Sequence, residues 1–87
     1  MIKLKYIVIS NEGMEGILFF PEHINHSTFR NCGNLISAGF VNIRYSISEQ
    51  GIIRAETYCH GNSFTLGLKS RPEEDTLLAD IALRNRI

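Results

Sequence analysis

The sequence predicts an α+β fold: an antiparallel sheet of about five strands with two helices packed on one face, in the order ββαβββα. Runs rich in Ile, Val, Tyr and Phe recur along the chain with turn residues between them. The segment from Gly39 to Ile47 alternates, with Val41, Ile43, Tyr45 and Ile47 separated by polar residues, and the chain closes on an apolar stripe at helical spacing.

The elements follow in order. Residues 2 to 9 are rich in Ile, Val and Tyr; Asn11-Glu12-Gly13 then signals a turn, and Ile17-Leu18-Phe19-Phe20 runs to Pro21, which reads as a first hairpin. From Asn25 to Leu35 strand character is lost. Asn25 or Ser27 caps an expected helix carrying Phe29, Cys32 and Leu35 or Ile36, closed by Gly33 or Asn34. In the next strand Val41, Ile43, Tyr45 and Ile47 share one side and Asn42, Arg44 and Ser46 the other, so one face of the sheet is expected to be wet. Ser48-Glu49-Gln50-Gly51 turns the chain into a strand from Ile52 to Cys59, His60-Gly61-Asn62 turns it again, and Phe64, Leu66 and Leu68 alternate in a last strand. Ser70 followed by Glu73 has the capping-box spacing, with Pro72 in the first turn of a final helix. Leu77, Leu78, Ile81 and Ala82 form its apolar stripe; Glu73, Glu74 and Asp75 sit at its positive end, and Arg84 and Arg86 at its negative end.

Eighty-seven residues make one domain, 1–87, too small for a cleft between two lobes. A chain of this length buries only about 60 to 65% of its unfolded surface, so pairing with a second copy is a common way to add burial. Nine basic residues balance nine acidic ones, which leaves no global field to attract nucleic acid or an anionic membrane, and no acidic surface that would imitate DNA. Tyr6-Ile7-Val8-Ile9 is too short for a signal-peptide core or a membrane span. The expected setting is the cytoplasm, where Cys32 and Cys59 remain free, buried thiols. The sequon Asn25-His26-Ser27 then carries no meaning.

Residue types capable of chemistry are present, but not in a pattern that assigns one. His23, His26, Cys32, Cys59 and His60 offer N and S donors without paired zinc-ligand spacing, so no metal is assigned. A Cys59 nucleophile would need a lowered thiol pKa, an orienting base and an oxyanion site, none of which is encoded visibly. Glu73 and Glu74 read as complements of the helix dipole rather than an acid-base pair. Lys69, Ser70 and Arg71 precede a helix N-terminus, but the acids that follow oppose an anion there. Lys3, Lys5, Arg44 and Arg54 beside Tyr58 have the composition of a single-strand nucleic-acid platform; Glu56, on the same alternation, favours ion pairing across strands instead.

Gly67-Leu68-Lys69-Ser70-Arg71-Pro72-Glu73-Glu74-Asp75, with Ser37-Ala38-Gly39-Phe40-Val41 and Gly61-Asn62-Ser63-Phe64-Thr65-Leu66, resembles small proteins of phages and prophages. The resemblance covers the C-terminal half and carries no catalytic motif. It implies an accessory protein that occupies a host protein, as inhibitors of CRISPR defence do, without catalysis. A neutral domain with no visible active site is expected to act by surface complementarity through aromatic and arginine anchors. The expectation is therefore a non-enzymatic protein, without cofactor, that binds and blocks a host protein or complex. Arg44, Arg54, Tyr58 and Arg71 are its candidate partner contacts. The alternative is a homodimeric structural or regulatory accessory in which a sheet edge or helix pairs with its own copy.

Overall fold

The computed structural model describes residues 1–84, so Arg86 of the expected terminal charge pattern lies outside the described residues. The fold is α+β. Strands β1 (Ile2–Asn11), β2 (Met14–Phe20), β3 (Asn34–Ile47) and β4 (Ile53–His60) form an antiparallel sheet in the order β2-β1-β3-β4. A two-stranded ribbon, β5 (Asn62–Ser63) with β6 (Leu68–Lys69), leads into helix α1 (Pro72–Arg84). No helix is long and apolar enough to cross a membrane among the described residues.

The first hairpin forms as its turn residues dictate. Asn11 pairs with Met14, and Glu12 and Gly13 both take positive φ (53° and 81°), the mirror-image turn whose twist matches that of the flanking strands. β1 is then bracketed by β2 and β3, and its consecutive residues Tyr6, Ile7 and Val8 are all fully buried. Consecutive burial in a strand means that both faces are covered. On one face, Tyr6, Val8, Val41, Ile43 and Cys59 pack with Ala79 and Leu83 of α1. On the other, Ile7, Phe20 and Ala38 pack with Ile24, Phe29, Leu66 and Leu68 from the connecting segments. A bulge reconciles these faces: the β1–β3 register shifts so that Ile9 pairs with Leu35 while Val8 pairs with Ser37. Leu35 thereby joins one core and Ile36 the other.

Several expectations are corrected. The helix expected from Asn25 is a single 3-10 turn, His26–Phe29, capped by Asn25, whose Oδ1 accepts the Ser27 N–H at 3.0 Å. β3 already starts at Asn34, because Leu35 and Ile36 take core positions on opposite faces, a split that one helical face does not provide. That turn packs opposite α1, so the helical elements do not share one face. Of the fifth strand expected over Phe64 to Leu68, only Leu68 is in a strand, at the start of β6; the residues before it form a turn between β5 and β6, with Gly67 N–H bonded to Phe64 O at 3.2 Å, and Phe64 is 90% exposed. Cys59 is buried as expected, but Cys32 is exposed.

The capping box does not form either. α1 begins at Pro72, and Arg71 occupies the cap: its carbonyl accepts from Asp75 N–H at 2.8 Å. Asp75, fully buried, replaces Glu73 as the acid that reaches back, and its Oδ2 accepts the Arg71 N–H at 2.9 Å. The buried face of the helix is accordingly Asp75, Ala79 and Leu83, with Leu78 partly covered. Leu77 and Ile81 of the expected stripe are exposed. Anchoring by Asp75 sets the rotation of the helix, and the apolar stripe turns with it.

Asp75 also accepts the phenolic proton of Tyr6 at 2.6 Å, across the core from β1. Tyr6 Oη lies 2.5 Å from Ser70 Oγ; with its one proton committed to the carboxylate, the serine is the donor in that contact. Burial and the neighbouring carboxylate push the Tyr6 phenol well above its ordinary range, so the donor stays protonated. Tyr6→Phe keeps the ring and leaves the buried carboxylate short of a donor. We expect it to lower the unfolding free energy by about 1–3 kcal/mol in urea titrations, and an unchanged midpoint would contradict this account of the core.

Candidate functional site

Beyond the bulge, the even-numbered residues of β3 from Ala38 onward and those of β4 share the face opposite α1. In register they form rows: Phe40 beside His60, Asn42 beside Tyr58, Arg44 beside Glu56 and Ser46 beside Arg54. Lys5 and Lys3 of β1 continue the first two rows. The connecting segments cover this face over β1, β2 and the Ala38 end of β3, and among the described residues its β4 side around Arg44, Arg54, Glu56 and Tyr58 is open.

Tyr58 stands at the centre of the open region, 57% exposed, with its ring stacked on His60 (centroids 5.4 Å apart, planes at 15°). His60 in turn stacks on Phe40 at 6.1 Å, and the Phe40 ring receives Lys3 Nζ at 5.3 Å from its centroid. Phe40 also meets the edge of His26 (5.9 Å, 88°). The aromatic row thus joins the exposed face to the core beneath. Two atoms beside Tyr58, Asn42 Oδ1 and His60 Nε2, are withdrawn from solvent without a hydrogen-bond partner among the described residues. Each such atom costs about 1–3 kcal/mol of lost solvation. A depression of about 280 Å³ opens beside Met1, Asn42, Arg44, Glu56 and Tyr58.

Three of the four candidate contacts, Arg44, Arg54 and Tyr58, lie on this face. Arg71 does not. Its Nε and Nη2 donate to Asp75 Oδ1 at 3.0 and 2.8 Å, Nη2 also donates to Glu15 Oε1 at 2.8 Å, and Glu74 lies 3.4 Å away. These acceptors hold Arg71 firmly in its charged form, and its guanidinium holds the Glu15 carboxyl below the ordinary range. Arg71 is therefore a clamp between β2 and the start of α1. Phe40, Asn42 and His60 are not among the partner contacts expected from the sequence. Phe40 and Asn42 share the alternation of Arg44, but Phe40 breaks its polar pattern, and His60 reads as a turn residue.

The remaining candidate groups are dispersed or already engaged. Cys59 and His60 point to opposite faces, and His26 Nε2 is bonded to Gly39 O at 3.0 Å. Among the described residues no three His, Cys, Asp or Glu side chains gather around a point. Burial pushes the Cys59 thiol up to about 12, the reverse of what a nucleophile needs. Where an anion would approach the helix start, Ser70 N–H donates to Gly61 O and Arg71 N–H to Asp75. The rings of the open face stack on one another, which leaves less of each free to receive a base than on a single-strand nucleic-acid platform. Lys5 is spent on Ile24 O at 3.0 Å and Lys3 lies 4.0 Å from Glu22. Compared with protein-family models, curated proteins and solved structures, the chain matches none.

His26 ties the open face to the interior, and burial lowers its pKa below the ordinary value. With the folded value below the unfolded one, its contribution to stability is whole above about pH 6.5 and declines as pH falls through that value towards the folded pKa. We expect the urea midpoint to fall between pH 7 and pH 5. His26→Gln, which retains a donor and cannot titrate in this window, should flatten the fall; an equal slope in both proteins would show that another group controls it.

Proposed function

We propose that the protein is a non-catalytic binder that occupies the surface of a partner protein through the open sheet face around Tyr58. The observation that carries this reading is Tyr58 itself: a majority-exposed aromatic ring, held in place by stacking on His60 and bordered by Arg44. A ring already fixed in position loses little freedom when it is covered, and Tyr and Arg dominate the energetic centres of protein interfaces for that reason.

Among the four candidate contacts, Tyr58 and Arg44 are the anchors in this reading, and Arg71 is withdrawn because its donors are committed within the chain. The balance of nine basic and nine acidic residues fits recognition by shape and local pairing better than by long-range attraction. The resemblance to small phage and prophage proteins supports a host protein as the partner, a defence complex included, with the bound state itself blocking the host surface.

The test is capture from a nuclease-treated bacterial lysate with the wild-type chain beside Tyr58→Ala and Arg44→Glu, each shown to be folded by circular dichroism. One protein or complex recovered in stoichiometric amount is expected, with affinity reduced roughly 30-fold by Tyr58→Ala, equivalent to about 2 kcal/mol at an interface centre. Recovery that both variants leave intact places the interface elsewhere. Retention on single-stranded DNA that fades steeply with salt would replace the protein-binding reading by a nucleic-acid one.

A further inference from the structure

β4 is an edge strand, and only part of its outer side is used. Ser48 N–H donates to Ile52 O in the β3–β4 hairpin, which sets the phase of the ladder: even-numbered residues of β4 bond to β3, and odd-numbered ones face outward. The outward groups near the C-terminal end are occupied, since Cys59 N–H donates to Thr76 Oγ1 at 3.0 Å and Gly61 O accepts from Ser70 N–H at 3.0 Å. Those of Ile53, Ala55 and Thr57 have no backbone partner among the described residues. A cleft of about 580 Å³ runs beside them, lined by Ile53, Arg54, Ala55 and Glu56 on the strand and by Asp80 and Leu83 on α1.

We propose that this edge pairs with the same edge of a second copy, antiparallel about a two-fold axis at Ala55. Charge selects that register. With Ala55 opposite Ala55 of the second copy, Arg54 faces Glu56 of the second copy, and the symmetry makes the same pair twice. The neighbouring registers that keep the ladder in phase put Arg54 against Arg54, or Glu56 against Glu56. Neither residue makes an ion pair within the chain among the described residues, so both are free for the contact. Ile53, half exposed in the single chain, gains Thr57 of the second copy as its neighbour. The opposite edge, β2, carries Glu15 and no basic residue, so it has no self-complementary register.

Pairing about this axis joins two four-stranded sheets into one of eight and turns both open faces to the same side. The two Tyr58 rings then stand ~20 Å apart along the strand direction. The inference goes beyond the binding reading and does not depend on it, since the edge pairs through its backbone whatever the open face recognises.

Sedimentation of the full chain tests it. We expect a species of about twice the 9.9 kDa chain mass. Arg54→Glu and Glu56→Arg, both changes of exposed side chains, should each sediment as monomers when alone, because each sets like charges against one another across the axis. An equimolar mixture should restore the dimer, because opposite charges then meet at both positions. Ala55→Pro, which removes an outward N–H that β3 does not use, should give a folded monomer by circular dichroism. A wild-type chain that stays monomeric up to its solubility limit overturns the proposal. So does a dimer that these variants leave intact, or a mixture of the two charge variants that fails to associate.

Discussion

The carboxylate of Asp75 has no access to water, and the way it is satisfied holds the rest of the molecule in place. A buried charge is tolerated only when paired and hydrogen-bonded. Here Tyr6 reaches it from the central strand, while the backbone and guanidinium of Arg71 close on it from the start of the helix. Arg71 then extends to Glu15 on β2, so one acid connects the helix, the middle of the sheet and its far edge. The arrangement sets the rotation of α1 about its axis. It sends Ala79 and Leu83 into the core and leaves Leu77 and Ile81 outside.

With the helix committed to one face, the connecting segments cover the other, and they reach only part of it. Phe20, His26 and Phe40 form the boundary through edge-on ring contacts, and Gly39 admits the close approach of the end of β4, since a side chain at that position would overlap the His60 carbonyl. Beyond this boundary lie Asn42, Arg44, Tyr58 and the outer half of β4. The open face and the open part of the edge thus meet on β4, beyond the reach of the connecting segments among the described residues.

Much of the fold was legible residue by residue. The hairpin at Glu12-Gly13, the alternation of β3 from Gly39 and the turn at Ser48 to Gly51 are local properties, set by positive φ, strand periodicity and turn chemistry, and each occurs where the sequence places it. Expectations failed where two local solutions competed and a distant contact chose between them. Asn25 capped a turn as its type predicts, yet the helix went no further, because Leu35 and Ile36 are needed on opposite faces of β3. Ser70 and Glu73 had the spacing of a capping box, but Tyr6 engages the serine and Asp75 takes the place of the glutamate.

The same division holds for the candidate site. Arg44 could be placed with Asn42 and Phe40, and Arg54 with Tyr58 and His60, from periodicity alone, because side chains alternate along a strand whatever the strand pairs with. That the two sets share one face, and that Arg71 does not, depends on the register of β3 against β4 and on two acids, Glu15 and Asp75, that lie sixty residues apart in the chain. By itself the sequence determined four of the strand segments in outline, where most of them turn and which residues share a side within a strand. The tertiary structure decided which sides are covered, because burial and charge satisfaction depend on contacts between residues remote in sequence, which no local pattern encodes.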